Sequence, residues 1–373
     1  MTDDCVWEIA FLMPNLHLGS AINFSGLAFV SSLDPRLERI RSTNEAARAL
    51  LEGFCDHGGQ KLRPAAVIYE TSNSFGHLWD AIVDARNCLA VACVLNGWQL
   101  SVGHPNNFLI RDTDHFDFYP RWPSKDGKDL VYLGPAFQLV THVGKTFIAQ
   151  PHAYISPGHP TYSRTEPEEN LLRHLQKVWA RVHVTAKPRT GDLRLLRSLS
   201  IAYEAARVPQ GMDNPLYDHG KHCAMWVSAL ETLAHPGKRG VSRGIVLDLL
   251  EKRELGNRRL AARRRMRLRK KQHRAVNLVQ RLCVHLYQAR NAFLHGNKLS
   301  MKVFVPKILA RGIRLLDIAP VIYLAAIEAL LKTHRPVRLR SNITPVARHA
   351  AFITSIMSYN TLEDALRRAV GWK

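Results

Sequence analysis

What most constrains this chain is a change of periodicity near residue 160. Before it, short apolar runs of strand length alternate with helical stretches: Gly26 to Val30, Ala65 to Tyr69, Leu130 to Leu133 and Thr146 to Gln150. Such runs, bounded by turn formers, predict strands. Helices are predicted from Asn44 to Phe54 and from Trp79 to Asn96, and the Asp-, Pro- and Gly-rich stretch 103–129 predicts a long loop or hairpin region. Past Pro157, Pro160 and Pro167 the strand signals almost vanish. Helices are predicted at Glu168 to His183, Gly191 to Arg207, Lys221 to His235, Arg243 to Gly256, a long segment ending near His295, and Ile313 to Thr333. A short helix begins at Thr361-Leu362-Glu363-Asp364, which resembles a capping box with Asp in place of Glu. The expected class is α+β: a mixed α/β domain over 1–160 with a sensing or regulatory role, an all-α domain over 161–335, and a C-terminal extension over 336–373.

At 373 residues with 46% hydrophobic content, the chain can bury one or two cores, which excludes a disordered tail or a small disulfide scaffold. Its 6 cysteines are scattered without C-x-x-C pairs, so they read as buried thiols in a reducing compartment. Asp3 and Asp4 stand where a secretory signal carries cations, and no apolar run approaches the roughly 18 residues of a membrane span. A cytoplasmic protein without membrane contact is expected.

The charge is lopsided. Residues 1–200 carry 20 Lys and Arg against 20 Asp and Glu, whereas residues 201–373 carry 32 against 11, so the whole net charge of +21 lies in the second half. Such a surplus favours a polyanion through counterion release, which makes RNA or DNA the leading partner class. Much of it sits in one run containing Arg258, Arg259, Arg263, Arg264, Arg265, Arg267, Arg269, Lys270, Lys271 and Arg274. Placed on a helix at about 100° per residue, these cations fall on every side and Leu260, Met266 and Leu268 form no continuous stripe. The run is therefore expected as a projecting solvated helix or as an arm that orders on phosphate.

The helix ending near His295 carries the chemistry. Val279, Leu282, Leu286, Ala289 and Phe293 recur at spacings of 3, 4, 3 and 4 and make a core stripe. Tyr287, Asn291 and His295, spaced by four and four, line a separate face with Arg290 at its edge. Two such faces imply a second packing partner. A histidine, the residue type able to exchange a proton near neutral pH, and a permanently charged guanidinium are the minimum for cleaving RNA without a metal.

Arg290-Asn291-Ala292-Phe293-Leu294-His295 resembles the R-x4-6-H signature of HEPN domains in its form with Asn after the Arg, and Tyr287 and Gly296-Asn297 are also similar to that family, particularly its ApeA-like group. The resemblance covers about residues 165–335. It implies a helical bundle that dimerises so that two motifs face each other, and a metal-independent endoribonuclease without cofactor, of the kind found in toxin and antiviral defence systems. In that reading His295 is general base or acid toward the ribose 2′-hydroxyl, Arg290 holds the scissile phosphate, Asn291 orients one of them, Tyr287 supports the site, and a protein or small-molecule trigger acts at the N-terminal domain. The arginine run is denser than the family pattern requires, which leaves structured RNA, general transcripts and DNA open as ligands. A non-catalytic nucleic-acid-binding scaffold is the alternative.

Two weaker constellations read as structural. His219, His222 and Cys223 lack a fourth ligand at a zinc-like spacing, and Asp112, Asp114, His115 and Asp117 fit a solvated turn as well as a divalent site.

Overall fold

The computed structural model describes residues 6–55, 59–103, 109–119, 121–123, 128, 130–133, 140–143, 165–208, 215–237, 240–269, 272–333 and 361–372. The chain forms two compact units: Met1–Arg86 with Phe108–Glu166 and Gln176–Arg189, and Asn87–Asn107 with Pro167–Leu175 and Thr190–Lys373. The division is not collinear with the chain, because two helices, α3 (Leu78–Ser101) and α4 (Glu169–His183), each contribute to both units. An expected boundary at 160 therefore gives way to one that crosses the chain several times. The C-terminal extension is likewise not separate, since its helix α12 (361–369) belongs to the second unit; residues 336–360 lie outside the described ones.

The first unit is built on a four-stranded antiparallel sheet in the order β1 (Trp7–Met13), β4 (Ala65–Glu70), β3 (Leu27–Val30), β2 (Ile22–Phe24). Strand β1, absent from the expected strands, is apolar except for Glu8 and ends at Met13, just before Pro14. Phe24 pairs with Leu27, so Ser25-Gly26 is a two-residue link, and Gly26 takes φ 73°. A Cβ there would lie 2.2 Å from the Asn73 amide nitrogen, so only glycine fits.

One face of the sheet, with Leu12, Ala28, Val30, Ala66 and Ile68, packs on α1 (Pro35–Thr43) and α2 (Glu45–Glu52) through Leu37, Ala47 and Leu50. Asp34 caps α1 and Asn44 caps α2, each with a side-chain oxygen accepting a first-turn N–H. Three further short strands, β5 (Arg121–Pro123), β6 (Leu130–Leu133) and β7 (Val140–Val143), form a second antiparallel sheet. The stretch expected as loop holds a 3-10 turn at Thr113–Phe116 before β5, and the expected strand from Thr146 to Gln150 lies outside the described residues.

The described residues of the second unit are helical, apart from one hairpin. Its main rods are α5 (Asp192–Ala205), α6 (Pro215–Ala234), α7 (Arg243–Glu251), α9 (Leu278–Leu294) and α11 (Leu315–Leu331), with short α8 (Arg258–Ala261) and α10 (Met301–Phe304). Helix α11 is buried on nearly all sides. In the core the Ser198 hydroxyl donates to the Ala229 carbonyl at 2.8 Å and lies 2.6 Å from the Tyr323 hydroxyl, whose ring stands 5.4 Å from Trp226. Arg253 and Glu328 form a buried ion pair at 2.8 Å. The Glu363 carboxylate of α12 accepts the backbone N–H groups of Gly256 and Asn257 at 2.6 and 2.9 Å, tying the chain's last helix to the turn after α7.

The arginine run corrects the expectation of a helix over 258–274. Among its described residues only Arg258–Ala261 is helical; Arg264–Arg269 (β8) and Gln272–Val276 (β9) form an antiparallel hairpin, and Lys270 and Lys271 lie outside the described residues. The reason is period two: Met266 and Leu268 alternate with Arg265, Arg267 and Arg269, a pattern invisible at 100° per residue but fitting a ribbon with one half-buried face.

Among the described residues, no helix is long and apolar enough to cross a membrane.

Candidate active site

Helix α9 starts on a capping box: Asn277 accepts the Gln280 N–H at 3.0 Å and the Gln280 side chain accepts the Asn277 N–H at 2.9 Å. Its first half is buried almost all round, since Leu278, Val279, Gln280, Leu282, Cys283 and Val284 are all inside. The helix then emerges. Arg290, Asn291 and Phe293 are half-buried, and Leu294, His295 and Gly296 are exposed.

The stop has a physical cause. Gly296 adopts φ 66°, the Asn297 N–H reaches back to the Ala292 carbonyl at 3.1 Å, and the Gly296 N–H points to the Phe293 carbonyl at 3.5 Å. This is the Schellman arrangement, and it makes His295 the last residue of the rod.

The four motif residues do not share one environment. Tyr287, expected on a face separate from the core stripe, is 3% exposed, and its hydroxyl donates to Glu231 of α6 at 3.0 Å. Burial beside Cys283 and Glu231 drives the phenol far above its ordinary range. Tyr287 is thus a packing and hydrogen-bonding residue under the site. Asn291 accepts an N–H from the Arg290 guanidinium at 3.1 Å, so the amide fixes the cation. The His295 imidazole is exposed, and no described residue hydrogen-bonds its ring. Five residues apart on an α-helix, Arg290 and His295 point about 140° from each other and lie about 7.5 Å apart along the axis. One copy of the helix presents the pair on neighbouring flanks rather than on one line.

Residues without a motif signal hold the end of α9. Phe293 packs into Gly220 of α6, where a Cβ would meet the ring at 2.4 Å, and Tyr217 stands edge-on to it at 5.1 Å. Arg243 donates to the Leu268 carbonyl near the hairpin tip and stands 6.0 Å from the Tyr287 ring. Gly220 lies inside α6, ahead of the expected helix start at Lys221, and neither Glu231 nor Arg243 carried a signal. Leu294, which precedes His295, Tyr217, edge-on to Phe293, and Met301 of α10 are about half exposed.

The weaker constellations separate. The Arg314 guanidinium approaches His219 Nε2 at 3.2 Å, His222 Nδ1 lies 2.9 Å from the Ala205 carbonyl, and Cys223 is fully buried with its thiol pushed up to about 12. Among the described residues no group of three or more His, Cys, Asp or Glu could hold a metal ion. Asp112 is half-buried, and its carboxyl is pushed up to about 6 by burial, with the Asp114 charge adding to it and Arg111 opposing. The described cysteines, Cys55, Cys88, Cys93, Cys223 and Cys283, are free thiols.

In the first unit a groove of about 460 Å³ is lined by Leu37, Glu38, Arg41, Leu51, Lys61 and Arg63, among others.

Compared with family models, curated proteins and solved structures, the chain matches none.

Proposed function

We propose that this protein is a metal-independent endoribonuclease of HEPN type, acting through Arg290, Asn291 and His295 in a dimer groove, in a toxin or antiviral defence setting. The observation that carries the reading is the pairing of two differently prepared groups at one helix end. The Arg290 guanidinium is held by Asn291, and the His295 imidazole is exposed to receive a ligand. The helical surroundings, and the half-exposed Leu294 and Tyr217 near the motif, which a second copy would cover, favour the same reading.

The chemistry balances without a cofactor. His295 removes the 2′-hydroxyl proton, the oxygen attacks phosphorus, and Arg290 stabilises the charge of the phosphorane. The bond to the 5′-oxygen breaks as that oxygen takes the proton back from the His295 imidazolium, leaving a 2′,3′-cyclic phosphate, a 5′-hydroxyl and a neutral imidazole. A homodimer across a two-fold axis would bring the guanidinium of one helix toward the imidazole of its twin, which suits their 140° divergence within one copy. A trigger would be sensed by the first unit, where the groove beside Arg41 and Arg63 offers room for it.

The purified protein is expected to cleave RNA in EDTA, and His295→Ala or Arg290→Ala to abolish cleavage while leaving the light-scattering mass unchanged. Cleavage that persists in both variants ends the assignment. The alternative, a non-catalytic nucleic-acid-binding scaffold, is favoured by the solvent-facing arginines of the hairpin, which need no catalytic partner. Salt-sensitive RNA retention with no product would select it.

A further inference from the structure

The hairpin sorts its cations into two kinds. Met266 pairs with Arg274 across the ladder on the half-buried face, and Arg274 is bound there by Asp248 at 2.7 Å and Glu251 at 2.6 Å. Arg263 also pairs with Glu251, and these two guanidinium groups hold that carboxyl below its ordinary range. Arg263 and Arg274 are therefore struts that fasten the ribbon to α7, already neutralised by protein acids. On the opposite face Arg265 pairs with Ala275 and Arg267 with His273, and all four are exposed. Arg258, Arg259, Arg264, Arg265 and Arg267 are exposed, and no described carboxylate pairs with any of them.

Two features say what such a face can bind. Arg265 and Arg267 are two residues apart on one side of a strand, about 6.7 Å, a spacing comparable with successive phosphates along a nucleic-acid strand. Between residues 258 and 276 there is no Phe, Tyr or Trp. Single strands are held largely by bases stacked on aromatic rings, and the one ring this face carries is the His273 imidazole, so the ribbon offers contacts chiefly to the backbone, as a base-paired stem requires.

We propose that the outward face of the β8–β9 hairpin, carrying Arg265 and Arg267, grips the phosphate backbone of a nucleic-acid duplex. It follows that the substrate carries a base-paired stem; this second statement rests on the ribonuclease reading, the first does not.

The test uses full-length His295→Ala protein, so that binding is read without cleavage, with a 16-base-pair RNA duplex, a DNA duplex of the same sequence and the single RNA strand, across a salt series. The RNA duplex is expected to bind at least tenfold tighter than the single strand. Replacing Arg265 and Arg267 together by Gln should flatten the slope of log affinity against log salt by about 1.8, at about 0.9 per lost phosphate contact. Equal binding of the DNA duplex supports contacts to backbone alone, and preference for the RNA duplex supports reading of its A-form shape. A single strand bound as tightly as duplex, or a slope unchanged in the double variant, overturns the proposal. Binding to the DNA duplex alone overturns the RNA stem. With the wild-type protein, cuts made in RNAs that carry a stem and not in unpaired RNA support the second statement. Cuts indifferent to the stem refute it and leave the ribonuclease reading standing, whereas duplex grip without any cleavage does the reverse.

Discussion

The substitution Gly220→Ala tests how the end of α9 is held. Glycine inside a helix normally costs about 1 kcal/mol relative to alanine, so without contacts the change should stabilise the protein. Here the new methyl would lie 2.4 Å from Phe293 Cδ2, 2.7 Å from Cγ and 3.1 Å from Cβ. Ordinary carbon contacts are about 3.5–4.0 Å, so either α6 and α9 separate by about 1 Å or the ring swings away. The ring is not free to swing without losing its 5.1 Å edge contact with Tyr217. Overpacking of this kind costs about 1–3 kcal/mol, which offsets or exceeds the propensity gain. Gly244 in the first turn of α7 is the control, since its Cβ would meet only Ser242 Oγ at 3.5 Å. Urea unfolding should show Gly244→Ala neutral or stabilised and Gly220→Ala destabilised by up to about 2 kcal/mol, with Phe293→Ala in the same chain relieving the clash. If the motif is catalytic, a shift of about 1 Å at its helix should also cut RNA cleavage about 100-fold. A Gly220→Ala protein that gains about 1 kcal/mol, as the control can, would refute the close approach.

Two further outcomes follow from buried charge. The Asp112 carboxyl, raised to about 6 in the folded protein against an unfolded value of 3.8, is protonated in the fold over a range where the unfolded chain has lost the proton. Its penalty is absent below about pH 4 and complete above about pH 6, so Asp112→Asn should gain up to about 2–3 kcal/mol in chemical unfolding at pH 7.5 and nothing at pH 4; equal gains at both would contradict the shift. At the Arg253–Glu328 pair, Glu328→Leu alone should cost about 3–5 kcal/mol by stranding the guanidinium, and Arg253→Met added to it should restore much of the loss. A single variant within about 1 kcal/mol of wild type would show the pair to be solvated.

The legible parts of the fold were those whose period is carried by apolar residues. The stripe Val279, Leu282, Leu286 and Ala289 is inside as its spacing indicated, and strands at Leu27–Val30 and Ala65–Glu70 sit where short apolar runs placed them. Helix α6 starts six residues before the expected Lys221, because Pro215 opens it as a first-turn residue while Gly220 reads locally as a break. The arginine run misled for a related reason: its ordering signal lies in Met266 and Leu268, two apolar residues among many cations. At the candidate site, Arg290, Asn291 and His295 were readable as a motif on a helix end. Tyr287 was misplaced because spacing of four fixes a direction around the rod but not the depth at which neighbours such as Glu231 cover it. Arg243 and Glu231 come from other helices, and no local pattern links them to α9.

The alternation of the hairpin makes the arginine run sensitive to parity. Deleting or inserting one residue within β8 would leave composition and net charge almost unchanged, yet turn Arg265 and Arg267 toward α7 and bring Met266 and Leu268 into water. Changes of two residues preserve the sidedness. Divergent descendants of this chain should therefore drift freely in how many arginines they carry while keeping their odd-even order, and a count of basic residues would be a poor guide to which of them still bind.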